Sequence, residues 1–170
     1  MADQNGRNAL HYGALSPHTG GKAITILLEG GVDPARRCRS LGRTPLHYAC
    51  DDAAKAEVVD VLLRSNRSDA NAADRSGCTP LHVACMAQAP AIVASLVRAG
   101  ASVDARDKDA RTPLWIACET GRVDILDLLL AGGAKLEEPN AAGLLPAAAA
   151  LRALRLRALQ FLVRGGMEAE

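Results

Sequence analysis

A chain of 170 residues and 17.7 kDa has room for one compact domain or one short repeat array, and is too short for several independent cores. Hydrophobic residues make up 49% and charged residues 23%, which excludes a generally disordered chain, and no apolar run approaches the roughly 18 residues that cross a bilayer. Twenty basic against nineteen acidic residues leave a formal charge of +1, which excludes a strong overall field for drawing in nucleic acid.

In chain order, a first segment Asn8-Ala9-Leu10-His11-Tyr12 is followed by Ile24 to Gly31, an apolar stretch ending in glycine, and by Val32-Asp33-Pro34. The pattern then returns as Thr44-Pro45-Leu46-His47-Tyr48-Ala49-Cys50, as Thr79-Pro80-Leu81-His82-Val83-Ala84-Cys85 and as Thr112-Pro113-Leu114-Trp115-Ile116-Ala117-Cys118, with a decayed copy at Leu145-Pro146-Ala147. The threonine position falls at 8, 44, 79, 112 and 145, so the spacings are 36, 35, 33 and 33 residues. The excess over 33 is expected in Ser16 to Gly20 and in loops near Arg36 and Asn66.

Each copy predicts two helices. A Thr at the cap accepts from an orphan amide, and Pro at the first helical position lacks only an N–H that the helix leaves unpaired. The Leu-x-x-Ala-Cys spacing then lays a small apolar stripe along a short inner helix. A second helix follows, as in Val123 to Leu130 with Asp124 and Asp127 outward, and Gly132-Gly133 ends it. Between copies, Asp74-Arg75-Ser76-Gly77, Asp107-Lys108-Asp109-Ala110 and Asn140-Ala141-Ala142-Gly143 read as tight turns. Ala110 stands where the other turns have Gly, which puts a left-handed backbone there in question.

These motifs, held in one register from about Asp3 to the C-terminus, resemble the ankyrin repeat family. The resemblance implies an all-α solenoid of about five helix-turn-helix units with short β-hairpin fingers, one domain over 1–170 with approximate units 3–38, 39–73, 74–106, 107–139 and 140–170. It also implies that the repeated histidines tie one finger to the next. In the fifth unit Leu145 replaces the Thr and Leu154 the Gly of the fourth. This unit reads as a degenerate closing cap with Arg152, Arg155, Arg157 and Arg164 as its solvated face, and only two residues precede Asp3, so no capping repeat is expected before the first unit.

Chemistry-bearing candidates are few. His11, His47 and His82 share one register and Cys50, Cys85 and Cys118 another, but stacked helices sit roughly 8–10 Å apart, too far for equivalent residues to share one ion. The cysteines are expected to pack as small hydrophobes and no metal or cofactor is expected. Five cysteines with no Cys-x-x-Cys disfavour a disulfide framework. Cys78, placed on a finger, is the thiol expected to react first. Trp115 in the fourth His position is read first as packing between repeats and second as an exposed binding anchor. Gly20-Gly21-Lys22-Ala23 lacks the first Gly and the hydroxyl residue of a phosphate loop, Asn66-Arg67-Ser68 is a glycosylation sequon by pattern only, and no catalytic motif is present. The cluster Arg36, Arg37, Arg39, Arg43 reads as a solvated loop, with contact to an acidic peptide as the sharper alternative and nucleic acid as a weak third.

The function expected is that of a non-catalytic protein-interaction module, an adaptor, scaffold or inhibitor. The alternative is a target-recognition segment of a larger enzyme or ubiquitin-ligase assembly. In the family, fingers and inner-helix ends on the concave surface meet the partner. The matching positions are Arg7; Ser40, Leu41, Arg43, Asp51 and Asp52; Arg75, Ser76, Cys78 and Met86; and Lys108, Asp109, Arg111, Glu119 and Thr120, with Arg43, Arg75 and Arg111 read as near-equivalent. An Arg-rich surface with apolar anchors suits a protein or peptide carrying acidic and hydrophobic residues. No nucleic acid and no membrane partner is expected, the chain is expected to be a monomer, and with a polar start at Met1 to Gly6 the expected compartment is the cytoplasm, with the nucleus as the other choice.

Overall fold

The computed structural model describes residues 2–65 and 67–167 and, within the last helix, no side chain beyond Arg164. Its helices come in five pairs: α1 (Ala9–Leu15) with α2 (Gly21–Glu29), α3 (Pro45–Cys50) with α4 (Ala56–Arg64), α5 (Pro80–Met86) with α6 (Pro90–Arg98), α7 (Pro113–Thr120) with α8 (Val123–Ala131), and α9 (Pro146–Arg152) with α10 (Leu156–Met167). Inner helices α1, α3, α5, α7 and α9 pack each on the next, and the outer helices do the same behind them.

The inner helices begin where the cap chemistry puts them. Asn8, Thr44, Thr79 and Thr112 are extended N-caps, and Pro opens α3, α5 and α7. Leu10, Leu46, Leu81 and Leu114 are at most 1% exposed, each removing roughly 1.5–3 kcal/mol of apolar surface from water. Ala49, Ala84 and Ala117 are fully buried beside them, and no larger side chain recurs at that position. The outer helices face this layer through Ile24, Val59, Val93 and Leu126, all without exposure.

The fingers are turns and not β-hairpins. Each is closed by a backbone bond from its first residue to its last, Asp3 N to Arg7 O at 2.8 Å, Cys38 N to Arg43 O at 2.9 Å, Asp74 N to Cys78 O at 2.8 Å, Asp107 N to Arg111 O at 3.1 Å and Asn140 N to Leu144 O at 3.0 Å, and by a second from the residue before the last back to the carbonyl of the first, as at Gly6 N to Asp3 O and Gly77 N to Asp74 O, both 3.0 Å. One bond per pair also links neighbouring fingers: Arg39 N to Asn5 O, Arg75 N to Leu41 O, Lys108 N to Ser76 O and Ala141 N to Asp109 O. The closing bonds stay within a turn of five or six residues and one bond joins each pair of neighbours, too few to extend a ladder, so no strand forms among the described residues. The second finger, Cys38 to Arg43, spans one residue more than the others, and Leu41 in it offers its carbonyl to the next finger as Asn5, Ser76 and Asp109 do. The longer α1–α2 loop is held by Lys55, 4% exposed, whose Nζ donates to the carbonyls of Ser16 and Thr19.

Ala110 keeps the left-handed turn, with φ of 55°, and so do Gln88 and Leu154 at the register position of Gly121. Such a backbone costs an L-residue roughly 1–2 kcal/mol. At Gly77, φ 78°, a Cβ would in addition stand 2.9 Å from the amide nitrogen of Lys108, so there the approach of the next finger excludes a side chain as well.

The histidines make the tie between units. His11, His47 and His82 have no exposed surface. Nδ1 of each accepts from the backbone N–H of its own cap residue, at 3.1 Å from Asn8, 3.2 Å from Thr44 and 3.2 Å from Thr79. Nε2 donates to a carbonyl of the following finger, Arg43 O at 3.2 Å, Cys78 O at 3.0 Å and Arg111 O at 3.0 Å. Only the neutral ring with its proton on Nε2 satisfies both sides.

Burial pushes all three imidazoles down from the ordinary 6.5, His47 to about 4, against the opposing pull of their carbonyl partners. The unfolded chain therefore binds protons that the folded one refuses. The contribution of His47, about 3 kcal/mol, is complete above pH 6.5 and is lost as the pH falls toward 4. Urea unfolding at pH 7 and pH 4.5 is expected to show a clear drop in midpoint; an unchanged midpoint would mean that the rings are not held neutral. Because each unit leans on its neighbours, removal of Leu144 to Glu170 is expected to lower the melting temperature while helical circular dichroism of the remaining units persists. Complete loss of the helical signal would show one indivisible domain.

Candidate interaction surface

The side-by-side fingers and stacked inner helices carry two rows of exposed residues. Arg39, Arg75 and Lys108 occupy one finger position, all exposed, and Ser40, Ser76 and Asp109 follow them. At the C-terminal ends of the inner helices the equivalent residues are Leu15, Asp51, Met86, Glu119 and Arg152, again all exposed, so one position runs from apolar through acidic to basic along the array. Asp52 is exposed beside Asp51 and its Oδ1 accepts from Ala54 N at 2.9 Å, and Leu41 is 46% exposed on its longer turn.

The arginines next to the cap residues behave differently. Arg7, Arg43, Cys78 and Arg111 are the equivalent residues, so Arg75 does not belong with Arg43 and Arg111. Arg43 Nε lies 3.0 Å from Asp74 Oδ2, with side-chain exposures of 20% and 3%. Arg111 holds Asp107 at 2.9 Å and its guanidinium carbon stands 5.8 Å from the Trp115 ring centre. Arg7 covers Tyr48 at 5.5 Å. These are half-buried packing groups. Thr120 at the end of α7 bonds back to Ala117 O at 3.2 Å.

Within each finger the first residue cages the turn. Asp74 Oδ1 accepts from Ser76 N and Cys78 N, and Asp107 Oδ1 from Asp109 N and Arg111 N, at 2.8–3.1 Å. Asn140 does the same in the last finger, at 3.0 Å to Ala142 N and Leu144 N. The second finger has Cys38 there, 3.4 Å from Tyr48 Oη and 3.7 Å from Ser40 Oγ.

Sequence reasoning missed a set of arginine links. Arg36 Nε donates to Gly6 O at 3.0 Å and Arg39 Nη1 to Gln4 O at 3.2 Å, while Arg37 reaches Ala73 O. Farther along, Arg106 donates to Pro139 O, Arg122 to Gln88 O at 3.0 Å and Arg155 to Glu119 O at 3.2 Å. Five of the six cross from one unit to the next, and Arg36 ties the end of the first unit back to its own finger. The cluster at 36–39 is thus a set of staples as well as a solvated loop, and the signal available in the sequence was its position at a unit boundary.

Trp115 is 6% exposed, so it packs between α7 and α9 and is not an exposed anchor. Its backbone N–H reaches Thr112 Oγ1 at 3.2 Å, but its buried indole N–H finds no partner among the described residues. An unpaired buried donor costs about 1–3 kcal/mol. A groove of about 360 Å³ opens beside it, lined by Trp115, Glu119, Ala149, Arg152 and Ala153.

The register, the histidine ties and the finger turns are now joined by a direct match. A family profile described as ankyrin repeats (3 copies) aligns with residues 1–74, 18–107, 52–140 and 81–169. The chain belongs to the ankyrin repeat family. Repeats of this family generally mediate protein–protein interactions. No curated protein matches the sequence. Among the described residues of this ankyrin array no helix is long and apolar enough to cross a membrane.

The thiols of the array differ from the expectation. Cys78 is 5% exposed, and burial with the nearby carboxylates of Asp74 and Asp107 pushes it up to about 11. Burial also raises Cys50, Cys85 and Cys118, the last to about 12. At Cys38 burial opposes ionisation, but hydrogen bonds from Tyr48, the Leu41 amide and Ser40 outweigh it and bring the thiol to about 7. Cys38 is itself only 2% exposed, so the folded array is expected to react slowly with maleimide at pH 7.4, and peptide mass mapping over time is expected to show Cys38 modified first among the five. Equal or earlier labelling of Cys78 would contradict this.

Proposed function

We propose that the chain is a non-catalytic interaction module, acting as an adaptor, scaffold or inhibitor, that holds a partner protein across its finger tips and inner-helix ends. The observation that carries this reading is the double row of exposed, chemically varied residues, Arg39, Arg75 and Lys108 on the fingers and Asp51, Met86 and Glu119 on the helices, at positions where the fold requires no particular side chain. The backbone bonds between fingers and the buried ties beneath them support a surface ordered before binding, which lowers the entropy lost on association. Ser40, Leu41, Ser76, Asp52 and Asp109 complete the surface, while Arg7, Arg43, Arg111 and Thr120 act from beneath it. A partner segment with acidic and hydrophobic residues complements the finger side. Five unpaired thiols suit a reducing compartment, the cytoplasm or the nucleus.

The test uses a partner recovered by pull-down with the whole chain. Arg75→Glu with Lys108→Glu is expected to weaken binding severalfold, with stability changed by no more than about 0.5 kcal/mol at each exposed site. Arg43 is unsuitable for charge reversal, because a carboxylate there would face buried Asp74. Full affinity in the double variant, with loss instead on changing Asp60, Asp124 or Asp127 of the outer helices, would move the interface to the opposite face.

A further inference from the structure

The groove between α7 and α9 departs from the rest of the array in both of its walls. On one side Trp115 stands where three units have the tying histidine, buried and with its indole N–H unpaired among the described residues. On the other, Ala149 stands at the register position of Tyr48, Val83 and Ile116, so the side chain that fills the corresponding space elsewhere is missing. Large replaced small on α7 and small replaced large on α9, and the two do not cancel: about 360 Å³ remains open against the indole. Repeat packing gives no reason for this, since it lacks both the tie and the filling side chain.

The charge around the groove selects its occupant. Arg152 is exposed at the mouth. Arg155, also exposed, donates from Nε to the Glu119 carbonyl at 3.2 Å, which brings a second guanidinium to the same wall. Glu119 is the one acidic residue in the lining. We infer that this groove seats an aliphatic side chain of an acidic partner segment, with carboxylates on both sides of that residue directed to Arg152 and its neighbours. Small Ala149 and Ala153 admit the side chain and the indole face packs on it. The inference rests on the interaction surface proposed above and adds to it a specificity pocket at its C-terminal end.

Trp115 is the only tryptophan, so its emission reports directly on the groove. The probe is a synthetic ten-residue peptide with leucines among aspartates and glutamates, titrated against the whole chain beside two controls, one with the leucines changed to serine and one with the acids changed to lysine. The acidic leucine peptide is expected to shift Trp115 emission and to bind at least about tenfold more tightly than either control. Ala149→Leu, which fills the groove, and Arg152→Glu, which reverses its mouth, are each expected to weaken it about tenfold. If Ala149→Leu lowers the melting temperature, the exposed Arg152→Glu decides alone. No binding of the acidic peptide, or equal binding of the lysine control, overturns the inference. Binding that survives both groove variants but is lost with Arg75→Glu and Lys108→Glu overturns the pocket and leaves the finger surface standing. Binding lost only on altering Asp60 or Asp127 removes both.

Discussion

A neutral imidazole buried between two units, accepting from the cap of its own helix and donating to the carbonyl of the next finger, is the interaction on which the array depends. It answers two demands at once. The start of a short helix leaves amides without partners, and a finger turn pressed against its neighbour buries a carbonyl away from water. One ring between them satisfies both, and because it recurs at His11, His47 and His82 it sets the same distance and orientation at three successive junctions. The dependence on a neutral ring also gives the array a chemical limit, since protonating Nδ1 turns an acceptor into a donor that faces a backbone N–H.

The units that break this rule do so in ways that the neighbouring structure absorbs. At the fourth junction Trp115 loses the tie but keeps the buried position, and packing of α9 on α7 carries the contact instead. In the second finger Cys38 replaces the caging carboxylate, and Tyr48 and Ser40 supply hydrogen bonds to the sulfur. Leu154 and Gln88 adopt the left-handed turn that glycine makes at 121. A repeat array tolerates such exceptions one at a time because each unit touches only its neighbours, and a weakened junction is supported from both sides.

The arginine content has a structural part. Five guanidinium groups reach carbonyls of an adjacent unit, a task suited to a long side chain whose planar head offers several donors. Codon bias can raise the number of arginines but does not place them at unit boundaries. The same side chains keep part of their surface in water, so the staples also contribute to the positive side of the finger surface.

The repeat, the helix starts, the alternation of inner and outer helices and the burial of Cys50, Cys85 and Cys118 followed from the sequence, because caps, prolines and apolar spacing act within a few residues of one another. The His-to-finger tie came with the family resemblance, and the structure supplied its partners and direction. What depended on contacts between units was out of reach. Cys78 looked exposed because it lies on a turn, yet the next finger covers it. Arg43 looked like a surface charge, yet it neutralises Asp74 from the following unit. The fingers suggested hairpins, yet two bonds close each tight turn and one joins each pair, with no ladder beyond them. The groove at Trp115 needed two residues 34 positions apart, each unremarkable alone, to be placed against each other. Local interactions are written along the chain; whether a side chain meets solvent, a carbonyl or an empty space is decided by the unit stacked beside it.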